Sequence, residues 1–137
     1  MSEKKMSSAG KVPTGRSSFA GTYQARGRFW ISTNGKTFLG YGRVVLLERI
    51  KELGSITKAA ASMGMAYRHA WELVDSMNSQ SPKPLVVSAV GGRKGGGSKL
   101  TPEGERAIKF FWRTHESFKK FLASLREEMN YLRVDHE

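Results

Sequence analysis

The sequence predicts a mainly α-helical fold with small β elements. Three observations predict it. Between Gly54 and Asn78, apolar residues recur at helical spacing in two short blocks separated by Gly64. Between Arg28 and Leu39, strand-favouring residues flank an Asn34-Gly35 pair. From Ile108 to Leu132, apolar positions alternate in steps of three and four. In this order the elements make a winged helix-turn-helix, preceded by a β-hairpin and followed by a long C-terminal helix suited to dimerisation.

Residues 1–26 are rich in Ser, Gly, Lys and Arg and have no apolar periodicity. They read as a disordered basic arm. The arm has no amphipathic face of the kind an organelle transit peptide needs, and no apolar core of a secretory signal. Arg26-Gly27-Arg28 at its end reads either as a minor-groove contact or as solvated charges before a strand. Phe29, Trp30, Ile31 and Thr33 favour strand, Asn34-Gly35 suits a type I′ turn, and Thr37 to Leu39 begin the return. A lone hairpin is marginal, so it needs a partner, and the next apolar helix is the nearest one.

That helix spans about Arg43 to Leu53. Its apolar stripe is either Val44, Leu47 and Ile50 or Leu46, Ile50 and Leu53. Gly54 sits where a helix end wants the left-handed conformation. A second helix starts near Ser55 to Thr57, with a hydroxyl available to cap it. Its Ala59 and Ala60 are small enough for the next helix to approach closely. The third helix runs from about Ala66 to Asn78, with Ala70, Leu73, Val74 and Met77 facing inward. Tyr67 and Arg68 lie on the opposite face with His69 alongside. Trp71, one turn further on, either flanks a groove or packs inward, and packing is the favoured reading.

Pro82 and Pro84 then forbid helix. Leu85 to Val90 reads as a strand, Gly91 to Ser98 as a flexible basic tip and Lys99-Leu100 as the return strand: a wing. The glycines of the tip do not match a nucleotide loop, because Ser98-Lys99 follows Gly97 in the wrong order and a strand residue comes next. Thr101-Pro102-Glu103 starts the last helix, with Thr as cap and Pro in the first turn. Ile108, Phe111, His115, Phe118, Leu122, Leu125, Met129 and Leu132 form a heptad seam along it, which predicts a continuous helix to about Leu132 that pairs with a second copy. The domain boundaries that follow are 1–26 for the arm, 27–101 for the winged helix-turn-helix and 102–137 for the dimerisation helix.

The charge balance narrows the function. There are 23 Lys and Arg against 12 Asp and Glu, a formal net charge of +11, which points to a polyanionic partner. The chain has no cysteine, which excludes a disulfide scaffold, a thiol nucleophile and a cysteine-based zinc finger. No apolar run reaches the roughly 18 residues of a membrane span. His69, His115 and His136 lie in separate elements without metal-ligand spacing, and no nucleophile elbow occurs. No cofactor, metal site, enzymatic activity or membrane partner is expected, and the location expected is the cytoplasm.

The run GSITKAAASMGMAYRHAWELVDSMN, followed by PLVVSAVGGRKGGGSKLTPEGERAI, resembles the N-terminal DNA-binding domain of the ModE family of molybdate-responsive regulators. More distantly it resembles the winged helix-turn-helix of LysR-type regulators. The marks are G-S-I-x-x-A-A, Ala70-Trp71, Met77-Asn78, the basic Gly91 to Gly97 tip and L-T-x-x-G at Leu100 to Gly104. They extend the resemblance over about residues 28–125. Full-length members of that family continue into paired oxyanion-binding domains. No second small β-domain is legible here, so the expected form is a stand-alone one, without counterparts of the molybdate-binding residues.

Together these readings predict a homodimeric regulator of transcription that binds double-stranded DNA in a sequence-specific way. The candidate DNA-binding residues are Thr57, Ala66, Tyr67, Arg68 and His69 at the two helix starts, with Arg93 and Lys94 in the wing. Recognition helices read base edges from their N-terminal residues, while wings lie along the backbone or in the minor groove. Two alternatives stay open. One is a winged-helix module that binds proteins. The other is a sensor with an unidentified small-molecule or oxyanion effector at the dimer interface, near His115 and the aromatic cluster.

Overall fold

The computed structural model describes residues 18–89 and 97–133. A hairpin comes first, from β1 (Ile31–Thr33) and β2 (Lys36–Leu39). Three helices follow: α1 (Tyr41–Leu53), α2 (Ile56–Ser62) and α3 (Tyr67–Ser79). A second hairpin is made by β3 (Val86–Ala89) and β4 (Gly97–Leu100). The last helix, α4 (Pro102–Ser124), leads into a short α5 (Arg126–Met129) and a 3-10 turn at Asn130–Leu132. Among the described residues, no helix is long and apolar enough to cross a membrane.

The first hairpin turns at Asn34 and Gly35, both at positive φ as a type I′ turn requires. Its register slips between Ile31, opposite Leu39, and Ser32, opposite Thr37, so Phe38 is left over in a bulge. The expected packing partner was α1. Arg43 of α1 does reach β2, its guanidinium donating to the Phe38 carbonyl at 3.4 Å, and β2 also lies against α3, where Gln80 Nε2 donates to the Thr37 carbonyl at 2.7 Å. Phe29, just before β1, stacks on Phe111 of α4 with ring centroids 5.0 Å apart.

Both stripes proposed for α1 are used. Val44, Leu46, Leu47 and Ile50 are all fully buried, and only Leu53 is left exposed at the end. Such burial on two faces follows from its neighbours, since α2, α3, α4 and β4 all touch it. Gly54 closes it at φ 72. Ser55 then caps α2, its hydroxyl accepting from the Lys58 amide at 3.0 Å. Ala59 and Ala60 are buried, as is Ala70 of α3, so the three small side chains lie in the core between closely packed helices. On α3, Val74 and Met77 join Ala70 in the core, while Leu73 is only half-buried.

Strands β3 and β4 pair antiparallel from Val86 opposite Leu100 to Ala89 opposite Gly97. The pair is tied to the helices at three points. Ser98 N–H donates to the Gly54 carbonyl at 2.9 Å, which seats β4 on the α1–α2 turn. Asn78 holds β3 to the end of α3. Thr101 caps α4 by accepting from the Gly104 amide at 3.0 Å, and its hydroxyl donates to the Pro84 carbonyl at 2.7 Å. Gly104 has to be glycine here: a Cβ would stand 2.5 Å from the Leu85 carbonyl oxygen.

The final helix departs from the expected single rod. Helix α4 ends at Ser124, and a turn at Leu125 separates it from α5. At 1.5 Å per residue its 23 residues extend about 34 Å. The seam is also partly occupied from within the chain. Phe111 is 0% exposed, and Phe29 lies against Phe111, His115 and Phe118. Residues 23–25, which have no regular secondary structure, line a cleft together with Leu122, Arg126 and Met129. The aromatics left exposed on α4 are Phe110 and Phe121, at 52% and 56%.

Candidate nucleic-acid interface

The α2–α3 unit is built so that the first turn of α3 stays uncovered. After α2, the amides of Met63 and Met65 both donate to the Ala60 carbonyl, at 3.0 and 2.9 Å, and Gly64 turns the chain at φ 64. Helix α3 begins immediately afterwards. Its N-cap is Ala66, which has no side-chain acceptor. The first backbone N–H groups of a helix have no partner within the helix, and here no side chain takes that place. A helix start of this kind favours an anion such as a phosphate, through its free N–H groups and its dipole.

The structure exposes the residues singled out at this helix start. Ala66, Tyr67, Arg68 and His69 are all exposed. None of their side chains makes a hydrogen bond or ion pair with another described residue. Thr57 is likewise exposed, in the first turn of α2, which packs against α3. Arg93 and Lys94 lie outside the described residues. The strands that bracket them are in place, with Ala89 opposite Gly97 at the open end.

Trp71 corrects the sequence reading. It was expected to pack inward, and it is 48% exposed. The reason is angular: the buried stripe runs through Ala70, Val74 and Met77, and Trp71 sits about 100° from Ala70, four residues after Tyr67 on the same face. The period of the helix carried that signal. An inward Trp71 would have needed a second buried stripe, and α3 has one. The uncovered face of α3 therefore carries Tyr67, Arg68 and Trp71 together.

Other residues hold this unit rigid. Arg43 of α1 donates to the Ser76 hydroxyl at 3.1 Å, linking α1 to α3. Burial pushes the Arg43 guanidinium below its ordinary pKa, a desolvation effect. Arg49 donates to the Ser62 hydroxyl at 2.7 Å and so clamps the end of α2 to α1. Trp112 Nε1 donates to Glu48 at 2.8 Å and fastens α4 to α1. Among the described residues, no cluster of His, Asp or Glu could hold a metal ion.

A three-helix unit with an open third helix and a following strand pair defines the class: a winged helix-turn-helix. Residues 42–105 match the model of the bacterial regulatory helix-turn-helix proteins of the lysR family. The molybdenum transport protein ModE of Azotobacter vinelandii is 38% identical over 103 residues, 75% of this chain and 38% of that protein. The molybdenum-pterin-binding protein MopB of Rhodobacter capsulatus is 39% identical over 92 residues, 67% of this chain and 34% of that protein. The DNA-binding transcriptional dual regulator ModE of Escherichia coli K12 is 40% identical over 76 residues, 56% of this chain and 29% of that protein. Over residues 42–105 the chain is similar to the lysR-family helix-turn-helix, and over a wider stretch to the ModE proteins. The matches cover between 29% and 38% of the length of these relatives.

Proposed function

We propose that the chain is a transcriptional regulator that binds double-stranded DNA, with α3 in the major groove. The observation that carries this reading is the uncovered first turn of α3, where Ala66, Tyr67, Arg68 and His69 stand exposed without intramolecular partners. Arg68 reaches guanine O6 and N7 or a phosphate, and the Tyr67 hydroxyl a phosphate. Thr57 contacts the backbone from α2. Arg93 and Lys94 in the wing lie along the backbone or in the minor groove. The net charge of +11 supports a polyanionic partner, and ModE relatives whose names describe transcriptional regulation support the regulatory role.

The active form proposed is a homodimer through residues 102–132, acting in the cytoplasm. The exposed Phe110 and Phe121 support pairing through α4, since aromatic side chains left open on one helix are candidates for an interface. Two copies related by a two-fold axis place two α3 helices in successive major grooves, so the site read is palindromic.

Selection of bound duplexes from a random pool tests this directly. The expected outcome is an enriched palindrome with half-sites about one helical turn apart. Recovery of no consensus, with affinity insensitive to salt, overturns the reading.

A further inference from the structure

A cavity of about 450 Å³ opens between the segment before β1, the start of α1 and the middle of α4. It lies in the range of small-molecule sites and is mostly apolar in its lining. Its rings are Phe29, Trp30, Tyr41, Phe111, His115 and Phe118. The imidazole of His115 has ring neighbours on several sides: Trp112 at 5.4 Å, Tyr41 at 5.7 Å, Phe111 at 5.9 Å and Phe29 at 6.1 Å between centroids. Among the described residues, its nitrogens have no hydrogen-bond partner. Trp30 and Tyr41, both well exposed, stand with their faces or edges available to an entering molecule.

The charges decide what that molecule is. The charged side chains that line the cavity are Arg28 and Lys119, and no carboxylate lines it. A ring of aromatics alone would suit a cation over their faces, but two fixed positive charges oppose one. An aromatic group bearing a carboxylate satisfies both features. Its ring stacks among the aromatic side chains, and its anion meets Arg28 and Lys119.

We propose that this cavity is a binding site for a small aromatic carboxylate. The site is separate from the first turn of α3, so the proposal does not rest on DNA binding. It does have a structural consequence: it joins the segment carrying Arg28, the start of α1 and α4, and an occupant stiffens their contact.

The test is calorimetric titration of the full chain with naphthoate, naphthalenemethanol and naphthylmethylammonium. Naphthoate is expected to bind about tenfold more tightly than the alcohol, and the ammonium most weakly. Lys119→Gln and Arg28→Gln should each remove most of the preference for naphthoate over the alcohol while leaving alcohol binding unchanged. Proton–nitrogen NMR localises the event: the indole signal of Trp30 should move and that of Trp71 should stay. Equal binding of all three compounds, no binding of any, or a shift at Trp71 instead of Trp30 overturns the proposal. So does sedimentation showing that the chain dimerises through this face and that dimerisation excludes naphthoate, because the occupant is then a second copy.

Discussion

Asn78 Oδ1, at the end of α3, accepts the backbone N–H of Leu85 at 2.8 Å. The same oxygen lies 3.2 Å from the Val86 N–H, and Asn78 Nδ2 donates to the Val86 carbonyl at 2.9 Å. One amide side chain thus satisfies the backbone where the loop after α3 becomes β3, and it sets the wing's position relative to the helix proposed to read DNA. Asn78→Leu strands these partly buried groups and should cost roughly 2–4 kcal/mol in urea unfolding. Asn78→Asp keeps the acceptor, loses the donor and should fall between. If Asn78→Leu unfolds with the wild-type midpoint, the clamp has no energetic weight.

Arg68 is exposed and makes no contact that stability depends on. Arg68→Ala should therefore change unfolding by less than about 0.5 kcal/mol. Specific duplex binding should weaken by about 1–3 kcal/mol, with relaxed preference at one base pair of each half-site. Fluorescence anisotropy on the selected site and on single-base variants measures both.

Trp71 divides two models of α3. As an exposed residue on the proposed reading face, it should tolerate Trp71→Ala with little loss of stability, while duplex affinity drops by on the order of 1–2 kcal/mol. A packed tryptophan would instead cost about 3–5 kcal/mol of stability. Thermal unfolding beside anisotropy separates the two outcomes.

For the wing, Arg93→Ala and Lys94→Ala should weaken binding to all duplexes alike. Each should also lower the slope of log affinity against log salt by about one. A salt titration that leaves the slope unchanged removes these side chains from the backbone contact proposed for them.

The exposed aromatics of α4 carry the proposal of dimerisation. Phe110→Glu combined with Phe121→Glu should shift the chain to a monomer in sedimentation, with its helical circular dichroism retained, because neither residue is in the core. A variant that stays dimeric would move the interface elsewhere on the helix.

Much of this architecture could be read from local chemistry. The Asn34-Gly35 turn, the Gly54 helix end, the Ser55 and Thr101 caps and the small residues Ala59 and Ala60 each state a backbone or packing requirement in one or two residues, and all of them are met. The exposure of Arg68 was legible for the same reason, since the period of α3 puts it opposite Ala70 and Val74, whereas Tyr67, seven residues before Val74, is exposed as the first residue of the helix. What periodicity could not tell was which neighbour each apolar face meets. A stripe announces that it will be buried, and gives no address.

That limit also bears on the last helix. The seam of α4 looks identical whether a second copy or the chain's own Phe29 covers Phe111, because both present an apolar surface to the same positions. By itself, the sequence determined the order of elements, their ends and the open start of α3, which all follow from interactions within a few residues. Only the tertiary structure decided that α1 is buried on both its candidate stripes, that β2 also touches α3 while Phe29 before the hairpin stacks on α4, that Trp71 faces outward and that an aromatic cavity forms beside His115. Those outcomes depend on contacts between residues far apart in the chain, and packing selects among faces that hydrophobicity alone leaves equivalent.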